Sequence, residues 1–281
     1  MKKYVLVLVI LVAAVVPFFL FEDRYCPLRS HLIKQEKRRV QRMRLPFDLD
    51  GSRKNILRNL KLRKDKLALA EAEKILLVEP GDLCALWAKA EIFRRTYRFQ
   101  ESEKLLKQIL SKYPAHASSL ISLSYMRYHE DKFEEASGIL QEVLGQPDLD
   151  RENKALVYML MGSINAKKAS LGGFLYKVAY GTRVGGFFVK AKTLAPDLSE
   201  VRLGLGTFYL LAPRIVGGNI DKAIQELEYA VKLTPDFATV NARLAQAYKK
   251  KGDVDKFNLY ILKAEELDPE NEALREIKGD L

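Results

Sequence analysis

Apolar residues recur at every third or fourth position along most of this chain, without the strict apolar–polar alternation of strands. That periodicity predicts amphipathic helices and an all-α fold. In one stretch Leu244, Ala245 and Tyr248 fall on one helical face, and beyond Lys251-Gly252-Asp253 a second stretch places Ile261 and Ala264 on another. Glycine accepts the left-handed backbone that ends one helix, and aspartate caps the next. Prolines close such pairs: Pro80, Pro114, Pro147, Pro196, Pro235 and Pro269 stand 34, 33, 49, 39 and 34 residues apart. Proline lacks an N–H and its ring strikes the preceding turn, so each marks the exit from a second helix. Five helix pairs are expected from Leu83 to Asn271, after a degenerate pair within 48–82 that caps the stack.

Within these pairs large and small residues keep fixed places. Trp87, Ala90 and Phe93 are followed by Leu106, and Leu120, Leu123 and Tyr128 by Phe133, Ala136 and Leu140. Tyr158, Met161 and Gly162 precede Phe188 and Ala191, and Leu205, Gly206 and Tyr209 precede Ala223, Leu227 and Ala230. The arrangement resembles the tetratricopeptide repeat (TPR), whose unit of about 34 residues is an antiparallel helix pair. The resemblance implies a right-handed α-solenoid over 48–281 that acts by binding another protein or peptide and not as an enzyme. Its groove is lined by first helices, which by that resemblance selects Cys84, Trp87, Glu91, Arg94 and Arg95, then Ser118, Ile121, Tyr125, Tyr128 and His129, then Gln246, Lys249 and Lys250. Aromatic area with guanidinium groups suits an extended peptide carrying carboxylates. The competing reading makes Trp87 and Tyr128 core between helices and the arginines solvated. Trp87 and Glu91 stand where the chaperone-tail carboxylate clamp would need a cation and an amide.

Two units exceed the period. Pro213 to Gly218 supplies an excess of about five residues in one, and Ser170 to Gly186 holds an excess of about ten in the other. The second segment reads as close helix packing, as an irregular linker, or as a contacting loop. Candidate insertion-loop contacts are Gly172, Gly173, Arg183, Gly185 and Gly186, with Pro213, Arg214, Gly217 and Gly218. No Lys-Ser or Lys-Thr follows these glycines and no strand precedes them, so a phosphate loop is not expected. Leu203 to Pro235 is also similar to the T-component proteins of tripartite ATP-independent periplasmic (TRAP) transporters. That likeness implies an accessory that binds or passes on a small solute with a solute-binding subunit, although the lipobox of such proteins is missing before Cys26.

Charge and hydropathy change the picture at the N-terminus. Lys2 and Lys3 precede an uncharged run from Tyr4 to Phe21, which as a helix reaches about 27 Å, close to a bilayer's hydrocarbon thickness. Residues 1–23 are read as an uncleaved anchor in preference to a removed signal, since no small residues follow the run. Residues 1–66 hold 17 Lys and Arg against 6 Asp and Glu, so they carry the whole +11 excess of the chain. The basic segment 24–47 is either a surface for anionic lipid or a solvated flank. Its charge favours repeats on the cytoplasmic side, whereas the signal-like start favours export. Nucleic acid is not expected, because no aromatic ladder accompanies the cations. His31, His116, His129, Cys26 and Cys84 show no metal-ligand spacing, and neither cofactor, metal nor catalytic set is expected.

Overall fold

A computed structural model describes residues 48–279, without the side chains of 174–179. The expected anchor from Tyr4 to Phe21 and the basic segment 24–47 lie outside the described residues. Among the described residues there are thirteen α-helices, one 3₁₀ turn and no strand. Helix α1 (Leu49–Lys61) pairs with α2 (Asp65–Val78), α3 (Leu83–Arg95) with α4 (Phe99–Lys112), and α5 (Ala117–His129) with α6 (Phe133–Leu144). The series continues with α7 (Arg151–Leu171) and α8 (Phe174–Leu194), α9 (Ser199–Leu211) and α10 (Ile220–Leu233), α11 (Ala238–Lys251) and α12 (Val254–Leu267). A short α13 (Glu272–Lys278) closes the stack. The protein is an all-α, TPR-like solenoid.

No pair buries its apolar stripe alone. Ile56, Leu60 and Ile75 of the first pair share a buried cluster with Ala85, Ala88 and Ile92 of α3. Small residues set the spacing: Ala72, Ala136, Ala223 and Ala230 are fully buried, while Ser102 and Ser124 are buried and donate to the carbonyls of Ala90 and Ala136 at 2.8 and 2.9 Å. Asp82, Asp150, Asn219 and Asp253 cap α3, α7, α10 and α12 with side-chain oxygens, as the local signals require. At the turns inside the first three pairs stand Arg63, Tyr97 and Asp131, 34 residues apart, all left-handed with φ of 57–59°.

Of the three readings of the Gly-rich segment, close helix packing is the one the structure shows, and the contacting loop does not form. Only Gly172 and Gly173 form a turn; Gly181, Arg183, Gly185 and Gly186 lie inside α8, and α7 and α8 each run 21 residues. Close packing explains Gly185 of this segment and Gly162 of the facing helix α7. A Cβ on Gly185 would stand 3.2 Å from the Phe208 ring, and one on Gly162 would stand 3.1 Å from the Phe188 ring. The second insertion is a true loop, in which Arg214–Val216 make the 3₁₀ turn and Gly217 is left-handed at φ 111°. A Cβ on Gly218 would collide with the Ala212 carbonyl oxygen.

Curvature brings distant pairs together through the turn after α1. Lys61 pairs with Glu152 at 2.7 Å, and Arg63 pairs with Glu200 at 2.8 Å. The Arg63 guanidinium also lies 3.8 Å from the centre of the Phe237 ring. The first pair therefore reaches the starts of α7, α9 and α11.

Candidate functional site

Seven of the nine candidate groove residues come together. The Glu91 carboxylate, buried at 6% exposure, is their centre. It accepts from Arg94 Nη2 at 2.6 Å and Arg94 Nε at 2.9 Å, from Arg95 Nε at 2.9 Å, and from Ser122 Oγ at 2.9 Å. Ser122 in turn accepts from the Trp87 indole N–H at 3.3 Å. Arg94 stacks 4.3 Å from the centre of the Tyr125 ring, and Tyr125, Tyr128 and His129 contact one another with centroids 5.4–6.2 Å apart. Arg95 also binds the Leu60 carbonyl and the Asp65 carboxylate, at 3.0 and 2.8 Å.

This cluster corrects the reading of Arg94 and Arg95 as groove cations. Three arginines, Arg63, Arg94 and Arg95, face three carboxylates, Asp65, Glu91 and Glu200, and no surplus charge remains for a ligand. Burial alone would push the Glu91 carboxyl up, but Arg94 and Arg95 outweigh it and hold the group well below the usual carboxylate range. Arg94 is opposed by burial and raised above the ordinary arginine value by Glu91. Within the network Arg63 Nε and Glu200 Oε2 are buried without a hydrogen-bond partner.

Lys249 and Lys250 are not part of it. Lys250 donates to the Leu210 carbonyl at 3.0 Å, and Lys249 stands 5.5 Å from the Phe257 ring centre, at the end of α11. The insertion candidates also lie elsewhere. Gly172 and Gly173 form the turn of the long pair, Arg183, Gly185 and Gly186 sit along α8, and Pro213, Arg214, Gly217 and Gly218 make the loop after α9.

A cleft of about 420 Å³ opens where α3 and α5 begin, lined by Arg53, Asp82, Cys84, Trp87, Tyr113 and His116 among others. Arg53 joins the buried Asp82 at 2.6 Å and Glu79 at 3.3 Å. Burial, with Asp82 beside it, pushes the Cys84 thiol up to about 11, so it stays protonated and unreactive at neutral pH. Burial also lowers His116, leaving a neutral ring that contacts Ser119 Oγ at 2.8 Å. Trp87 was singled out from sequence, but Arg53, Asp82 and Tyr113 were not. Asp82 carries a helix-cap signal, whereas Arg53 is brought in from another repeat. Among the described residues no group of three or more His, Cys, Asp or Glu is placed to hold a metal ion.

Comparison with known proteins agrees with the helix pairing. The TPR repeat family model matches residues 217–252. No curated protein sequence matches the chain. A structure of the human IFIT1 dimer with m7Gppp-AAAA is similar at 18% identity, covering 93% of this chain and 60% of that one with a TM-score of 0.58. PilW, a type IV pilus biogenesis factor, aligns at 14% identity over 82% of this chain and 97% of its own, with a TM-score of 0.48. PilF of Pseudomonas aeruginosa aligns at 19% identity over 83% and 97%, with a TM-score of 0.45. None of these bears on the T-component likeness. The resemblance to tetratricopeptide-repeat proteins is thus shown, by the repeat matched at 217–252 and by the shared fold.

Proposed function

We propose that the protein is a non-enzymatic scaffold, held at a membrane through Tyr4 to Phe21, whose cleft at Trp87 receives an extended segment of a partner in a bacterial envelope assembly. The TPR fold supports a protein-interaction scaffold. The observation that carries the cleft assignment is the half-buried Trp87, whose N–H is fixed by Ser122 while the residue lines open space. A fixed aromatic wall gives binding area at little entropic cost. Arg53, Asp82 and the neutral His116 supply donors and acceptors for a peptide backbone. Anchoring raises the local concentration of the cleft, so that a weak site suffices.

Two other occupants are less well supported. The human IFIT1 structure contains m7Gppp-AAAA, but here Glu79 and Asp82 neutralise the cleft's arginine and oppose phosphate. A small solute enclosed by the two insertions would need a loop at Ser170 to Gly186, where helix packs against helix instead.

The test is affinity capture from detergent-solubilised membranes with Tyr113→Ala and His116→Ala, whose side chains lie outside the apolar core. Loss of capture by more than about tenfold is expected for the pair, with the melting temperature unchanged. Capture equal to that of the unaltered protein would remove the cleft as the binding site. Carbonate extraction tests the tether separately, since release of the intact chain would refute it.

A further inference from the structure

Both departures from the 34-residue period sit at neighbouring turns on one edge of the solenoid. The turn between α7 and α8 holds the first, and the loop between α9 and α10 the second. The Phe208 ring links them: a Cβ on Gly185 of α8 would stand 3.2 Å from it, and one on Gly217 of the loop would stand 3.5 Å away. With 21 residues each against 12–14 in the neighbouring helices, about seven added residues per helix carry the α7–α8 tip past its neighbours by about 11 Å, at 1.5 Å per residue.

This edge has an unusual surface. Ile215 is 94% exposed and Leu171 at the tip is 64% exposed, with Leu211 and Val216 also exposed. From Asn153 to Pro196 the sequence holds seven Lys and Arg and no Asp or Glu, and Val201 to Ile220 is equally free of acids. Lys168 and Lys192 are paired with Glu134 and Glu226 of neighbouring repeats. Lys167, Arg183 and Arg214 make no ion pair among the described residues, and Arg183 and Arg214 are exposed. The contrast with α12 is informative: it also exposes Val254, Leu259 and Leu262, but Asp255, Glu265 and Glu266 accompany them.

Exposed aliphatic side chains beside unpaired cations, with the nearby carboxylates of Glu134 and Asp221 each engaged by a lysine, are what a protein needs to rest on anionic headgroups. No described helix is long and apolar enough to cross a membrane, so the edge would lie on the bilayer surface without spanning it. The geometry points to a second membrane contact: the α7–α8 tip and the 213–218 loop dock on an anionic lipid surface, through Leu171 and Ile215 as wedges and Lys167, Arg183 and Arg214 as headgroup contacts. The uncharged run from Tyr4 to Phe21 makes a bilayer an accessible partner for the same chain. The contact is independent of the Trp87 cleft, which opens where α3 and α5 begin.

The test places an environment-sensitive dye at position 215 (Ile215→Cys) in the full chain, in a Cys26→Ser, Cys84→Ser background. The protein is reconstituted into vesicles of phosphatidylcholine alone or with phosphatidylglycerol. A dye at Leu259→Cys is the control, so insertion of the N-terminal run is constant across all samples. Blue-shifted emission, quenched by brominated acyl chains, is expected at 215 on anionic vesicles and not at 259. Arg183→Glu with Arg214→Glu should weaken the signal at 215 by more than about tenfold, since each headgroup cation accounts for about fivefold. Equal signals at 215 and 259, or no dependence on phosphatidylglycerol, would overturn the assignment. So would a dye at 215 that stays wet on both vesicles and is shielded only by an added protein, which would assign this edge to a protein partner.

Discussion

The first three helix pairs and the two with insertions differ in how they turn the chain and in which arginines they leave unpaired. In the regular pairs a single left-handed residue, Arg63, Tyr97 or Asp131, turns the chain, and the nearby arginines are buried against carboxylates. In the insertion-bearing pairs glycines make the turns, and Arg183 and Arg214 point outward with no acid beside them. The difference teaches that an arginine's role here is set by where its carboxylate lies. Arg94 and Arg95 hold the regular half together as Arg202 and Lys192 hold the insertion half through the buried Glu226, whereas Arg183 and Arg214 are left for an external anion.

The sharpest way to break that contrast is to remove Glu91. Glu91→Ala leaves Arg94 and Arg95 buried without their shared partner, and should cost about 3–5 kcal/mol in urea unfolding. Arg183→Ala and Arg214→Ala should stay within about 0.5 kcal/mol of the parent. A small effect of Glu91→Ala would mean that the network is hydrated and the two halves are alike. Acid provides an independent check on the same carboxylate. Its pKa is depressed on folding, so the stability it contributes is full above the unfolded value of about 4.5 and is lost as pH falls below it. Melting curves from pH 7 to pH 3 should fall more steeply for the parent than for Glu91→Gln, which has no such proton to take up.

Next in size is the loop that carries Ile215. Gly218→Ala drives a methyl into the Ala212 carbonyl and should destabilise by about 1–3 kcal/mol while loosening the loop. If thermal unfolding is unchanged, the 3₁₀ turn is not a fixed platform and the lipid edge loses its geometric basis.

The helix pairs were legible because their signals are local: proline exits, glycine or aspartate at turns, and small residues such as Ala136 and Ala223 where helices touch. The direction in which Arg94 and Arg95 point was not legible. Their network includes Arg63 and Glu200, which lie 137 residues apart and meet only through curvature. The Gly-rich segment left packing and a loop both open for a related reason. Glycine inside a helix costs about 1 kcal/mol, which argues for a loop, until Phe208 is seen to occupy the space that Gly185 vacates. Trp87 could be picked out as a candidate, but Arg53, which shares its cleft, comes from a different repeat.

The smallest effect tests the regular turns. Asp131 is left-handed at φ 57°, a conformation that costs an L residue about 1–2 kcal/mol in general and less for aspartate, which visits it more readily. Its side chain is exposed, and its hydrogen bonds use only the backbone, Asp131 N to the Tyr128 carbonyl and Phe133 N to the Asp131 carbonyl. Asp131→Gly therefore removes strain without removing a side-chain contact, offset in part by the greater freedom of glycine in the unfolded chain. A net gain of about 0.5 kcal/mol is expected, read as a rise in the urea midpoint at constant slope. The same change at Arg63 should do the reverse, because the strained residue there also carries the ion pair to Glu200 and the stack on Phe237. If Arg63→Gly stabilised as Asp131→Gly does, the contacts across the curve would be worth less than the strain of the turn. The regular half would then be held by its apolar clusters alone.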